Sequence, residues 1–295
     1  MSSSLLKNGE FNRVNINTLN TIKTSILNQK EIKIGENAAQ TEQGLAGIAI
    51  GAEAAQTEQG EFSVAVGGAA GQNKQGKGGI AIGLQAALTE QGIRGVAIGF
   101  DAGQTKQGKS GIAIGTTAGE TKQGEGGIAI GELAGQTEQG EGGIAIGGEA
   151  GNTKQGEAGI AIGVAAWNTE QDSLSIAIGS FAAQTKQGVG GIAIGICAGQ
   201  TEQGSNSIAI GCAAGLNNQP ENSIILNADP KNNVSLKYTN SANSKNPEDN
   251  IKAKNSGFYV NPVRPLKHPQ SSTISVPNGM LYYDEDSKEI VYHKP

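Results

Sequence analysis

The sequence predicts an all-β chain: a parallel β-roll, or solenoid, of twelve sixteen-residue coils with a small β module behind it. Three observations carry this. A unit typified by Ile128-Ala-Ile-Gly-Glu-Leu-Ala-Gly-Gln-Thr-Glu-Gln-Gly-Glu-Gly-Gly143 recurs twelve times from Ile32 to Ser223 without insertion or deletion. Inside it, β-branched residues alternate and glycines fall at fixed places, so each unit reads as strands separated by corners. Composition agrees, because 46 glycines and only 36% hydrophobic residues cannot fill a large globular interior. The core must be thin and the chain quasi-one-dimensional.

In chain order, residues 1–31 come first, with Val14, Ile16, Leu19, Ile22 and Ile26 irregularly spaced. They read as a cap on the first coil, since an open roll end leaves backbone groups unpaired. Attachment to a larger particle is a second reading of this segment. Met1 to Thr21 lack the uninterrupted apolar run of a signal peptide, and no stretch reaches bilayer-spanning length, so no membrane insertion is expected.

Residues 32–229 form the array. Counting each unit from its first residue, position 1 is Ile or Val, and position 3 is Ile in eleven units and Val66 in the other. Position 2 is Ala in all units but the first, which has Lys33. This spacing predicts a short strand with branched side chains on one face and alanine on the other. Position 4 is always glycine and supplies a corner. The Ala-x-Gln-Thr-x-Gln stretch from position 7 reads as a second strand, and positions 13 to 16 as a second corner. Two strands per coil, stacked about 4.8 Å apart, give a rod of roughly 58 Å. Leu216, Pro220 and the half-unit Ile224 to Asp229 end the array.

Residues 230–256, rich in Asn, Ser and Lys, read as a linker. Residues 257–295 form the C-terminal β module, with strand-like runs at Gly257–Val260, Thr273–Val276, Met280–Tyr283 and Glu289–Tyr292. Pro277-Asn-Gly279 and Asp284 to Lys288 suit hairpin connections.

Position 12 is glutamine in every unit: Gln43, Gln59, Gln75, Gln91, Gln107, Gln123, Gln139, Gln155, Gln171, Gln187, Gln203 and Gln219. Twelve copies cannot all be active sites, so the column reads as a structural ladder of stacked amides. Position 11 alternates Glu and Lys, with eight of ten adjacent charged pairs opposite in sign, and reads as a solvent-facing charge ladder. Each exposed pair contributes under about 1 kcal/mol, mainly to register and solubility. Position 10 is a nearly unbroken threonine column.

Little points to chemistry. Gly103-Gln-Thr-Lys-Gln-Gly-Lys-Ser110 spells a phosphate-binding loop, but that loop works only between a strand and a helix, and here a strand follows at once. No Ser/His/Asp, paired acidic or Cys/His constellation stands at a unique place, so no enzyme, metal or cofactor is expected. Cys197 and Cys212 fall in different columns and read as small thiols at variable positions. Net charge is -5, with the array itself acidic, so nucleic acid is not an expected partner. Trp167 replaces Gly or Ala at position 8; opposite parity to Ala166 places it on the outside of the rod as a possible partner contact, against the plainer reading of an incidental surface substitution packed on the atypical Asp172-Ser-Leu174 corner. All five tyrosines lie beyond the array, and Tyr259, Tyr282 and Tyr283 are the other possible contacts, against the plainer reading that they fill a cap.

The isoleucine and alanine faces of the first strand cannot both point into one thin roll, so one forms an apolar stripe outside it. Such a stripe marks an interface, and copies of the same chain are its simplest cover. Ile-Ala-Ile-Gly-x-x-Ala units such as Ile112 to Ala118 resemble the head repeats of trimeric autotransporter adhesins, the YadA-like family. The resemblance spans 32–229 and implies a left-handed roll associated as a homotrimer. The signal peptide and membrane anchor of those adhesins have no counterpart in the sequence, which is closer to anchor-free repeat fibres of large DNA viruses and phages. The resemblance therefore implies a structural, non-enzymatic spacer or adhesin on a virion surface, meeting a host glycan, a host protein or another virion protein. The alternative is an ice-binding or glycan-binding solenoid that uses the Thr and Gln columns.

Overall fold

A computed structural model describes residues 31–227 and the strand residues 258–261, 281–284 and 289–292. Among them there is no helix, and the array is a parallel β-solenoid with two strands per coil. First strands occupy positions 1 to 3, as in Ile112–Ile114, and second strands positions 10 to 12, as in Thr121–Gln123. Each stacks on the same positions of the next coil, Ile112 beside Ile128 and Thr121 beside Thr137, so identical columns run along the rod.

The second strand is shorter than the sequence suggested. Alanine at position 7 and the residue after it belong to a turn, not a strand. In the coil from Ile112, Thr117 and Gly119 have φ of 53° and 54°, and the Ala118 N–H donates to the Gly115 carbonyl at 3.4 Å. Left-handed residues recur at positions 6, 8, 11 and 15 of every coil. Most are not glycine; Lys122, at 53°, bends the middle of its own strand, and the register pairs only the flanking Thr121 and Gln123.

The core is alanine. Ala113 at position 2 and Ala118 at position 7 are fully buried, as are their counterparts from Ala49 to Ala209 and from Ala54 to Ala214. The branched residues of the first strand face outward and are half-buried to exposed, reaching 58% exposure at Ile34 and 40% at Ile210. Closeness of the two sheets is the reason. The Gln123 side chain spans the interior from the second strand and reaches the Ile112 carbonyl at 2.8 Å, which leaves room opposite it for a methyl group only. Consecutive coils also touch backbone to backbone at position 4. A Cβ on Gly115, whose φ is +130°, would lie 2.5 Å from the Gly131 carbonyl oxygen. Only glycine fits there.

At the C-terminal end the two sheets part. The second ends at Thr201–Gln203, with Asn217 adding a single bridge to Thr201. The first continues through Ile224–Asn227 and takes Phe258–Asn261 as a further parallel strand, then Glu289–Tyr292 antiparallel, with Leu281–Asp284 outermost. The β module is thus laid onto the roll as an extension of its sheet. Glu289–Tyr292 falls where the sequence placed it, and the other two strands begin one residue later. The N-terminal segment up to residue 30, the 230–256 linker and the Thr273–Val276 run lie outside the described residues, as do the side chains of Tyr259, Tyr282 and Tyr283.

Candidate functional site

The glutamine column is internal. From Gln59 to Gln219 every member is at most 4% exposed, while Gln43 in the first coil is half-buried. In the middle of the array each amide braces its own coil. Gln123 Nε2 lies 2.8 Å from the Ile112 carbonyl, 3.1 Å from that of Gly127 and 3.1 Å from Gln139 Oε1 in the next coil. Bonds from one amide to the next run unbroken from Gln91 to Gln155 and again from Gln171 to Gln219. This is a repeated brace, in which the amide serves the backbone in every coil but that of Gln171.

Interruptions of the ladder follow position 8. A Cβ on Gly71 would sit 2.9 Å from Gln75 Cδ, so the residue at position 8 presses on the amide of its own coil. Where it is Ala55, Ala87 or Trp167, the Oε1 of Gln59, Gln91 or Gln171 is buried without a partner. Gln187, in the coil of Ala183, still accepts a bond at 3.0 Å, and its donor is Gln171, the amide of the neighbouring Trp167 coil.

Trp167 corrects the sequence reading most directly. It is fully buried, with φ 47° and an unpartnered buried Nε1, and cannot be an external contact in this structure. Parity along a strand gave the wrong side because position 8 lies in a turn. The cost is local. Strand Thr169–Gln171 keeps only Thr169 in register with Thr153, and Gln171 holds only its bond to Gln187.

Outside, the two faces differ. Over the first sheet run the columns at positions 1 and 3, bordered on one side by exposed Leu84, Phe100, Val164 and Ile196 and on the other by Leu45, Ile93 and Val189. The columns at positions 1 and 3 are apolar along the rod, while their borders also carry charged residues, among them exposed Glu61, Lys77, Lys109 and Glu125. Over the second sheet lie amides, threonines and charges. Gln72 bonds Gln56 at 3.3 Å and Asn152 bonds Gln136 at 3.2 Å in an outer amide column at position 9. The hydroxyls of Thr57, Thr137 and Thr153 donate to carbonyls of the next coil. In the position-11 column Lys122 pairs with Glu138 at 3.0 Å. The hydrogen bond from Lys122, reinforced by its charge, holds the Glu138 carboxyl below the ordinary glutamate range.

The phosphate-loop string crosses strand Thr105–Gln107 and a corner before strand Ile112–Ile114, with no helix to meet a phosphate. Among the described residues no cluster of three His, Cys, Asp or Glu is placed to hold a metal ion, and no helix is long and apolar enough to cross a membrane. Cys197 and Cys212 are both free and half-buried; burial, and then the neighbouring Cys212, push the Cys197 thiol up. Comparison with known protein families, curated proteins and solved structures finds no match to this chain.

Proposed function

We propose that the chain is a structural, non-enzymatic rod whose apolar face is covered by two further copies of itself, giving a trimeric fibre or surface protein that acts as a spacer or adhesin on a virion. The observation that carries the reading is the outward isoleucine face. A soluble rod that keeps its alanines inside and its isoleucines outside exposes a continuous apolar stripe, and burying such a stripe is the main driving force available to it. Its length is fixed by the array, so a partner of the same length and period matches it coil for coil. The resemblance of the Ile-Ala-Ile-Gly units to trimeric adhesin heads supports three copies and the fibre role. The polar second face then stays outside, where a host glycan or protein would meet it.

The test is to place charge on the stripe. Replacing Ile114, Ile130 and Ile146 together by Glu is expected to dissociate the assembly or prevent folding. Replacing Thr121, Thr137 and Thr153 by Ser on the opposite face should leave it intact. An isoleucine variant that keeps the parent's mass and melting temperature would refute the reading.

An ice-binding role has less support. The hydroxyls of Thr57, Thr137 and Thr153 are turned to backbone carbonyls, and the column borders exposed Glu and Lys side chains.

A further inference from the structure

We propose that Cys197 and Cys212 are an oxidation site that closes into an intrachain disulfide and staples the last coil of the roll to the one before it. The two residues occupy neighbouring columns of adjacent coils. The Ala213 N–H donates to the Ile196 carbonyl at 2.8 Å, and Cys197 directly follows Ile196 while Cys212 directly precedes Ala213. One coil spacing combined with one residue step separates their Cα atoms by roughly 6 Å, inside the range a disulfide spans. Both thiols are free and half-buried at the corner of the roll, so a small oxidant reaches them. The Cys197 thiol is pushed up first by burial and then by the neighbouring Cys212.

Position gives the link a purpose. The final coil, from Ile208 to Ser223, has no second strand, and the isolated Thr201–Asn217 bridge stands in its place. That coil is tied to the coil before it by strand Ile208–Gly211, by backbone bonds such as Ala213 to Ile196, Asn218 to Thr201 and Asn222 to Ser205, and by the Gln203–Gln219 bond at 3.2 Å, while the Asn227 amide donates to the Cys212 carbonyl at 2.7 Å. Stacked repeats fray from their ends, and this end carries the β module. A covalent tie between columns 5 and 6 joins the last two coils where the two sheets part.

The chemistry needs a disulfide co-reactant of the glutathione class. The Cys212 thiolate attacks one sulfur of glutathione disulfide, forming a mixed disulfide and releasing one glutathione thiolate. The Cys197 thiolate then attacks the Cys212 sulfur, forming the Sγ–Sγ bond and releasing the second glutathione. Two protein thiols are oxidised, one glutathione disulfide is reduced, and the two thiol protons end on the two glutathiones.

The full chain is to be incubated with glutathione disulfide, folded and in denaturant, and followed by thiol titration, intact mass and non-reducing peptide mapping. The folded protein should lose both thiols with no retained glutathione, yield a linked peptide pair joining Cys197 to Cys212 within one chain, and react faster than the denatured chain. Amide exchange in the final coil should slow after oxidation. Cys197→Ser should instead retain one glutathione on Cys212. Two persistent glutathione adducts, a link between chains, or a rate no faster than in denaturant would each overturn the proposal.

Discussion

At position 8 the side chain presses on the buried glutamine of its own coil, and in the coils of Ala55, Ala87 and Trp167 that glutamine accepts no bond from its neighbour. Gly119 leaves the Gln107–Gln123 bond at 3.0 Å, whereas Ala87 leaves Gln91 Oε1 buried and alone, at a φ of 49° that alanine tolerates poorly. Ala87→Gly is therefore expected to stabilise the protein by about 1 kcal/mol, through a regained buried bond and a relieved backbone. Denaturant midpoints of parent and variant check it, and a variant less stable than the parent contradicts the position-8 rule. Trp167 is the chain's one tryptophan and is fully buried, so selectively excited tryptophan fluorescence reports on this coil alone. Its emission should be blue-shifted and shielded from iodide in the native protein, and readily quenched only after unfolding. Glycine at position 4 lies at the other extreme. Gly115→Ala should cost at least ~3 kcal/mol, since the methyl meets the carbonyl of the next coil from a backbone conformation close to glycine-only. Gly126→Ala, with nothing within 4 Å of the added Cβ, should cost far less by the same measurement.

Between neighbouring strands, two polar columns one residue apart differ because one is inside and the other outside. Removing Gln123, Gln139 and Gln155 together as Ala strips the carbonyls of Ile112, Ile128 and Ile144 of their braces, at about 1 to 3 kcal/mol for each buried group left unpaired. Removing Lys122, Glu138 and Lys154 should shift the melting temperature much less, because exposed pairs are screened. The Glu138 pair carries a sign. Its carboxyl is held below the ordinary glutamate range, so what the pair contributes is present above that range and lost as pH falls through the lower folded value. Glu138→Gln should thus be slightly less stable than the parent near neutral pH and equal to it in strong acid. The strand and corner order of each coil could be read from columns 1 to 4 because the period is strict and glycine at position 4 has one backbone use. What the sequence hid was the left-handed backbone at positions 6, 8 and 11. Thr117, Trp167 and Lys122 are not residues that announce a positive φ, so parity counting across them put Trp167 outside and began the second strand too early. Which face of the first strand is interior was equally hidden. Both faces are apolar, and the answer depends on the span of a glutamine side chain across the roll.

For the whole molecule, the same span sets the energetics. An interior lined by alanine and glutamine buries little apolar surface per coil, so the largest apolar gain open to the rod lies on its outside. The proposed assembly rests on that outer surface, the isoleucine columns, and not on the core. In the proposed assembly a partner of identical period would also penalise any slip of register along its full length. The most direct measurement is the mass of the intact chain in solution by light scattering. The account predicts a single folded species of three times the 30.0 kDa protomer, unchanged on dilution through the micromolar range. A stable, folded particle of one protomer's mass, with its isoleucine columns open to water, would contradict it.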